Sequence, residues 1–233
     1  MKSNAERVKR FNLAERLGHW THAISCVVLL ITGLALVFSR YGSFLGTDTL
    51  RAFRNIHHGM GFIFTFLSLV ILLLGTHKTF LAWIKACFNW TRNDVAFLFA
   101  FPREFFGLKV KLPRQGKFNG GEKVNSLLTM ASFVVMVASG WIMLFSEGFS
   151  RKTLLLAYTL HSAGALIIGT VLLGHIYLAL LHPNSRESIK GMLWGTVSQK
   201  FALEHHALWY EEITAAQGKS LKKDYYLANN TNV

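Results

Sequence analysis

Hydrophobic residues are concentrated in four long blocks along this chain, and charged residues lie between the blocks. Residues 17–38, 56–75, 124–145 and 156–181 contain no Asp, Glu, Lys or Arg. A helix needs about 20 mostly apolar residues to cross a bilayer, and a backbone in lipid must satisfy its own hydrogen bonds. The pattern therefore predicts an all-α fold, an integral-membrane four-helix bundle.

Basic residues are distributed unevenly among the segments that connect these spans. Residues 1–16, 76–123 and 182–233 hold 20 of the 25 Lys and Arg residues, and 39–55 and 146–155 hold the other five. Because Lys and Arg accumulate in cytoplasmic loops, both termini and the central loop are expected in the cytoplasm. The predicted organisation is a cytoplasmic N-terminus (1–16), a four-span domain (17–181) and a cytoplasmic tail (182–233).

Several classes of protein can be excluded from the composition. The formal net charge is +13, but the basic residues form no single stripe or binding motif, so we expect a lipid bilayer as partner and no nucleic acid. Cys26 and Cys87 form no C-x-x-C motif, which excludes an iron–sulfur site and covalent haem attachment within this chain. Any haem would be held non-covalently.

The segments that follow the second and the fourth span have distinct compositions. Residues 80–106 are rich in aromatic residues but interrupted by charges, which predicts an interfacial helix or hairpin on the cytoplasmic surface. The tail from Asn184 onward is expected to be helical, docked on the cytoplasmic surface or on a partner, or capping the bundle. Its polar end, residues 227–233, is expected to be disordered.

Four of the ten histidines fall at matched depths in the predicted spans. His161 and His175 lie 14 residues apart in the fourth span, which places them about 40° apart around a helix and roughly 21 Å apart along it. With the predicted orientation, His175 and His19 lie near the cytoplasmic surface, and His161 and His57 near the outer one. The pairs His19 with His175 and His57 with His161 predict the axial ligands of two haem irons.

The sequence also allows other interpretations of the histidines. His58 competes with His57, because only one of two neighbours points inward, and His22 is a candidate neighbour of a haem propionate or quinone. The remaining histidines are expected at the membrane interface or in solvent: His77, His182, His205 and His206. Intramembrane histidines also serve as proton relays, so a proton channel or transporter is an alternative function, and a structural anchor without haem is a third.

Six segments, in order, resemble the gamma (cytochrome b) subunit of respiratory membrane-bound formate dehydrogenase. They lie between Phe11 and Ile213: RLGHWTHA, NIHHGMGF, KFNGGEKVN, LHSAGA, GHIYLAL and SIKGMLWGTVSQKFALEHHALWYEEI. The resemblance implies two b-type haems and assigns His57 rather than His58 as a ligand. Because nothing in the chain contacts formate, a hydrogenase or a thiosulfate or tetrathionate reductase remains an alternative complex.

The resemblance also implies a place in an electron-transfer chain of the bacterial inner membrane. Electrons would come from an iron–sulfur (beta) subunit at the outer face, and a catalytic (alpha) subunit would oxidise formate. They would reach a quinone, menaquinone or ubiquinone, beside the inner haem, at a site formed by Asn119, Gly121, Glu122 and His175. The family commonly has glutamine where Glu122 stands. This leaves open whether Glu122 delivers a proton or is a solvated carboxylate.

Overall fold

Long helices form the body of the molecule. The computed structural model describes residues 7–39, 45–216 and 218. Helical segments long and apolar enough to cross a membrane cover Leu13–Phe38, Thr47–Gly75, Gly120–Leu144 and Arg151–Leu181, one for each predicted span. The prediction of an all-α membrane bundle is confirmed. The polar end predicted to be disordered, residues 227–233, lies outside the described residues.

The helices and strands follow one another with short connections. In chain order they are β1 (Arg7–Lys9), α1 (Leu13–Phe38), α2 (Thr47–Phe62), α3 (Ser68–Phe88), α4 (Arg92–Phe105), α5 (Gly120–Leu144), α6 (Arg151–Ile176), α7 (Ser188–Trp194), β2 (Thr196–Ser198) and α8 (Gln199–His205), followed by α9 (207–216). The π-helical turns Ile63–Leu67 and Tyr177–Leu181 join α2 to α3 and extend α6. The second span therefore begins earlier than predicted, because its helix continues through polar residues.

The four spans are arranged as two helical hairpins. Helix α1 packs against α2 and α3, and α5 packs against α6. Trp141 of α5 joins the hairpins, since its ring centre lies 5.0 Å from that of Phe62 and 5.7 Å from that of Phe66. Most of the apolar surface of the spans is exposed, as is expected where lipid takes the place of water.

Three helices that begin at the same end of the bundle share one type of N-terminal cap. In each, the residue before the helix and the acidic residue three positions later exchange hydrogen bonds: Asn12 with Glu15, Thr91 with Asp94, and Asn119 with Glu122. Such capping boxes satisfy free backbone N–H groups and fix where a helix begins. Residues 7–16, 89–119 and 182–216 gather here, and we call this the terminal end of the bundle.

The N-terminal segment and the tail fold together at the terminal end. Strand β1 pairs with β2 in antiparallel register, with Val8 opposite Val197. Val197 belongs to a small core with Phe201, Ala202 and Trp209, and Val8 packs against this core. Within the described residues, the tail is largely helical, as predicted, and α7 to α9 pack on the terminal end of the bundle.

Helix α4 covers the second part of residues 80–106, for which an interfacial helix or hairpin was predicted, and residues 80–88 instead continue α3. A buried ion pair holds α4 to α5, with Lys123 Nζ 2.8 Å from Asp94 Oδ2. Burial alone would raise the pKa of Asp94, but the hydrogen bonds from Lys123 and Thr91 lower it below its usual value. The opposite face of α4 exposes apolar side chains, including Phe99, which suits a helix lying at a membrane surface.

Candidate functional site

The four predicted histidines form two facing pairs at opposite ends of the bundle. The ring centres of His19 and His175 lie 6.2 Å apart, and those of His57 and His161 lie 6.3 Å apart. Two metal–imidazole bonds of about 2 Å each, together with the distance from each nitrogen to its ring centre, span roughly 6 Å. Each pair therefore has the spacing that one iron atom between two rings requires. We call them the terminal-end pair and the opposite-end pair.

The histidines pair rather than cluster. Within the part of the chain that the structure describes, no three or more His, Cys, Asp and Glu side chains come together to hold a metal ion. A metal bound by protein ligands alone usually has three or four of them. A haem iron needs only two axial ligands, because the macrocycle supplies the rest. The donor set fits a haem better than a free metal ion.

Two hydroxyl groups hold the opposite-end pair. Thr32 Oγ1 lies 2.9 Å from His57 Nδ1, and Ser139 Oγ lies 2.9 Å from His161 Nδ1. Each hydroxyl also donates to the carbonyl four residues earlier in its own helix, at 2.8 Å for Thr32 and 2.6 Å for Ser139. Because a hydroxyl has one proton to donate, it accepts from Nδ1–H. Nε2 of each ring then keeps its lone pair for a metal.

Among the described residues, these two hydroxyls are the side-chain partners of the His57 and His161 rings. Partners of this kind commonly orient metal-bound histidines and raise their basicity.

Glycines beside these hydroxyls give the rings room. A Cβ at Gly33 would lie 3.2 Å from His57 Cε1, and a Cβ at Gly140 would lie 3.3 Å from His161 Cε1, closer than ordinary van der Waals contact. His58, the alternative to His57, is exposed and lies about 100° further around the helix. Of the two neighbours, His57 is the one that faces α6.

The terminal-end pair has different surroundings. Among the described residues, no side-chain hydrogen bond reaches the ring of His19 or His175. Trp20, whose ring centre lies 5.5 Å from that of His19, donates from Nε1 to the carbonyl of Met192 at 3.1 Å. Arg16 Nε donates to the same carbonyl. Helix α7 of the tail therefore frames this pair from the outside.

The residues expected at a quinone site lie at the start of α5. Asn119 Oδ1 accepts a hydrogen bond from Glu122 N at 2.8 Å, and Gly121 lies between them. The Glu122 carboxylate accepts from Asn119 N at 2.9 Å and from Arg10 Nη2 at 2.9 and 3.2 Å. The sequence left open whether Glu122 delivers a proton or is a solvated carboxylate, and the structure adds that its carboxylate has defined partners. Glu122 caps α5 and pairs with Arg10.

Arg10 is a residue that sequence reasoning missed. Its side chain is 1% exposed, its Nη2 also donates to the carbonyl of Lys117, and its guanidinium lies 5.0 Å from the ring centre of Phe11. The Nε of Arg10 is buried and has no hydrogen-bond partner among the described residues. In the sequence, Arg10 counts only as one of the basic residues expected in the cytoplasm. Its partner Glu122 is 112 positions away, so no pattern among neighbouring residues predicts this ion pair.

His206 is buried, and the expectation that it lies in solvent is wrong. It is 1% exposed, and its Nδ1 donates to the carbonyl of Gly116 at 2.8 Å, because the tail folds back onto the loop before α5. Burial first, and then the nearby charge of Arg10, lower the pKa of His206 to about 3. His182, expected at the membrane interface, follows the last residue of the fourth span and is buried between Phe105 and Tyr177.

His22, the other open candidate, packs between aromatic rings. Its ring centre lies 4.6 Å from that of Phe64 and 6.2 Å from that of Phe133. Phe64 lies in the π-helical turn between α2 and α3 and is buried. This contact gives His22 a place in the packing between the two hairpins.

A family match decides what kind of protein this geometry belongs to. The family model of the prokaryotic cytochrome b561 matches residues 10–195, which include both histidine pairs and α7. The chain belongs to this family. It is therefore a multi-pass membrane cytochrome b, and the family implies haem b as the cofactor. The predicted recognition of a cytochrome b subunit is confirmed.

Curated relatives share nearly the whole length of the chain. It is 28% identical to the cytochrome b556 subunit of formate dehydrogenase from Haemophilus influenzae, over 90% of this chain and 85% of that protein. It is 25% identical to the cytochrome b556(Fdn) subunit of the nitrate-inducible formate dehydrogenase from Escherichia coli K12, over 93% of this chain and 96% of that protein. It is 26% identical to the cytochrome b556(fdo) subunit of formate dehydrogenase from the same strain, over 89% of this chain and 94% of that protein.

Proposed function

We propose that this chain is the membrane cytochrome b subunit of a formate dehydrogenase complex. In this proposal it passes electrons from an iron–sulfur partner at the outer face, through two haem b groups, to a quinone near the cytoplasmic side. The observation that carries the proposal is the geometry of the two histidine pairs. Both have ring spacings close to 6 Å and both use α6, so one helix supports two sites at different depths.

The four histidines have defined roles in this proposal. His19 and His175 hold the inner haem, and His57 and His161 hold the outer one. Haem iron supplies reversible one-electron oxidation and reduction, and two histidine ligands leave no open position for oxygen. The protein contributes the distance between the sites, roughly 21 Å along α6, and the apolar surroundings that exclude water.

We place the quinone, menaquinone or ubiquinone, beside His175 and the start of α5. Asn119 and Gly121 lie at the N-terminus of that helix, next to Glu122. We assign Glu122 to holding this loop rather than to proton delivery. Its carboxylate is bound by the Arg10 guanidinium, which stabilises the anion and disfavours a protonated form.

The distribution of charge and the names of the relatives support the remaining assignments. Because residues 1–16, 76–123 and 182–233 hold 20 of the 25 basic residues, these segments and both termini would face the cytoplasm across the bacterial inner membrane. The opposite-end pair would then face the iron–sulfur (beta) subunit, and a catalytic (alpha) subunit would oxidise formate. The three relatives are named as formate dehydrogenase subunits, and this chain contains no group that would act on formate itself.

Membranes from a strain that lacks this chain test the choice of complex. We expect loss of formate-dependent quinone reduction, while formate oxidation with a soluble artificial electron acceptor persists. The intact chain and its His58→Ala variant should restore quinone reduction, and His175→Ala should not. Formate-dependent quinone reduction could instead remain unchanged. Loss of hydrogen-dependent quinone reduction would then assign the chain to a hydrogenase, and loss of thiosulfate or tetrathionate reduction would assign it to a reductase of that type.

A further inference from the structure

The two hairpins support the opposite-end histidines with the same pair of residues. Thr32 and Gly33 on α1 face His57 on α2, and Ser139 and Gly140 on α5 face His161 on α6. In both hairpins a hydroxyl contacts Nδ1 of the ring and the next residue is a glycine that clears its Cε1. The ring on each side of the site is therefore fixed by the helix that precedes it.

We infer that Thr32 and Ser139 are positioning residues that lower the redox potential of the haem held by the opposite-end pair. A hydrogen bond accepted from Nδ1–H leaves more electron density on Nε2, which makes the imidazole a stronger donor. A stronger donor stabilises ferric over ferrous iron, so the potential falls. This inference rests on the proposed function, because it requires haem in the site.

The two histidine pairs differ in their hydrogen bonds, and this difference predicts the favoured direction of electron transfer. No side-chain hydrogen bond reaches His19 or His175 from the residues that the structure describes, so the terminal-end haem lacks this effect. The opposite-end haem then holds an electron less tightly, and transfer toward the terminal end is favoured. The hydroxyls also restrain rotation of both rings, which fixes their planes relative to the macrocycle.

Potentiometric titration of the purified full chain, followed by visible spectroscopy, tests the inference. Thr32→Val and Ser139→Ala each remove the hydroxyl and nearly keep the side-chain size. Each should shift the midpoint potential of one haem to a more positive value, and the double variant should shift it further. Loss of such a partner typically weakens metal binding about 10- to 100-fold, so haem content at this site should be measured on the same samples.

Conservative and matched variants separate this role from a general effect on folding. Thr32→Ser and Ser139→Thr keep the hydroxyl and should keep the wild-type potential. Thr170→Val is the control, because Thr170 makes the same bond to the carbonyl four residues earlier but lies on the exposed side of α6. In a His175→Ala background only the opposite-end haem remains, and the shift should be unchanged there.

The outcomes distinguish this inference from the proposed function. Wild-type protein without haem would overturn the proposed function. Two haems per chain, with unshifted potentials in Thr32→Val and Ser139→Ala, would overturn only the inference. A shift confined to the terminal-end haem, or one that Thr32→Ser fails to reverse, would also overturn it.

Discussion

The two histidine pairs have almost the same spacing but are held in different ways. At the opposite end, hydroxyls and glycines of the spans themselves fix both rings. At the terminal end, the rings are framed by Trp20, the tail helix α7 and an ion pair at the start of α5. The separation between the two pairs follows from α6, which carries one member of each. In the proposed function, only the terminal end would also have to admit a quinone and protons.

This difference predicts which perturbations disrupt each histidine pair. The opposite-end pair depends on contacts between membrane helices, which are insensitive to solution conditions. The terminal-end pair depends on segments outside the membrane, namely β1, β2 and α7 to α9, which are joined by polar contacts. Perturbations of pH or of the tail should therefore reach the terminal-end pair first.

The largest effect is expected from His175→Ala. Loss of this ring removes one ligand of the terminal-end haem and a neighbour of the proposed quinone site. Haem content should fall from two per chain to one, and quinone reduction should stop, while the opposite-end haem keeps its spectrum. Loss of the opposite-end haem instead would contradict the pairing.

A variant of the opposite-end pair should have the complementary effect. His57→Ala should also reduce haem content from two per chain to one, but the terminal-end haem should remain and should still accept electrons from a reduced quinol. The matched control is His58→Ala, which removes the exposed neighbour and should keep both haems. If His58→Ala lost haem and His57→Ala did not, the ligand assignment would be reversed.

A pH titration should weaken the terminal end selectively. The folded pKa of His206 is about 3 and its ordinary value is 6.5, so the unfolded segment binds a proton that the folded one excludes. Stability is therefore lost as the pH falls from about 6.5 toward 3, by about 2 kcal/mol between pH 6.5 and pH 5.

Hydrogen exchange of the tail amides measures this loss directly. Between pH 7 and pH 5, after correction for intrinsic exchange rates, amides of α8 and α9 should lose protection while those of α1 and α6 keep it. His206→Asn keeps a donor for the Gly116 carbonyl and cannot titrate, so the pH dependence should flatten. An equal pH dependence in His206→Asn and wild type would exclude His206 as the cause.

The smallest effect is expected from adding a methyl group beside a ring. Gly33→Ala or Gly140→Ala places a Cβ 3.2 or 3.3 Å from a histidine Cε1, so the ring must move by a few tenths of an ångström. Both haems should be retained, with a small change in the spectrum of the opposite-end haem alone. Gly148→Ala, where nothing lies within 4 Å, should leave both spectra unchanged.

The spans and the depth of each histidine could be predicted from the sequence, because both follow from helix geometry. A stretch of about 20 apolar residues sets a span, and a rise of 1.5 Å per residue sets the spacing of His161 and His175. The same geometry predicted which histidines share a depth, and the structure brings those residues face to face.

The supporting contacts could not be predicted, because they depend on how one helix is rotated against another. Thr32 and Ser139 are ordinary hydroxyl residues within apolar blocks, and periodicity does not identify the histidine that each one meets. Arg10 and His206 became buried only when the tail folded back onto the loop before α5. Such contacts join residues about 90 to 190 positions apart, and no local pattern encodes them.

Haem content measured on the purified full chain tests the central claim most directly. The reduced-minus-oxidised spectrum, with haem and protein quantified on the same sample, gives the number of haems per chain. We expect two haem b groups per chain with a spectrum typical of six-coordinate, low-spin iron. A haem-free chain that is folded and inserted in membranes would contradict the account and leave a histidine relay or a structural anchor.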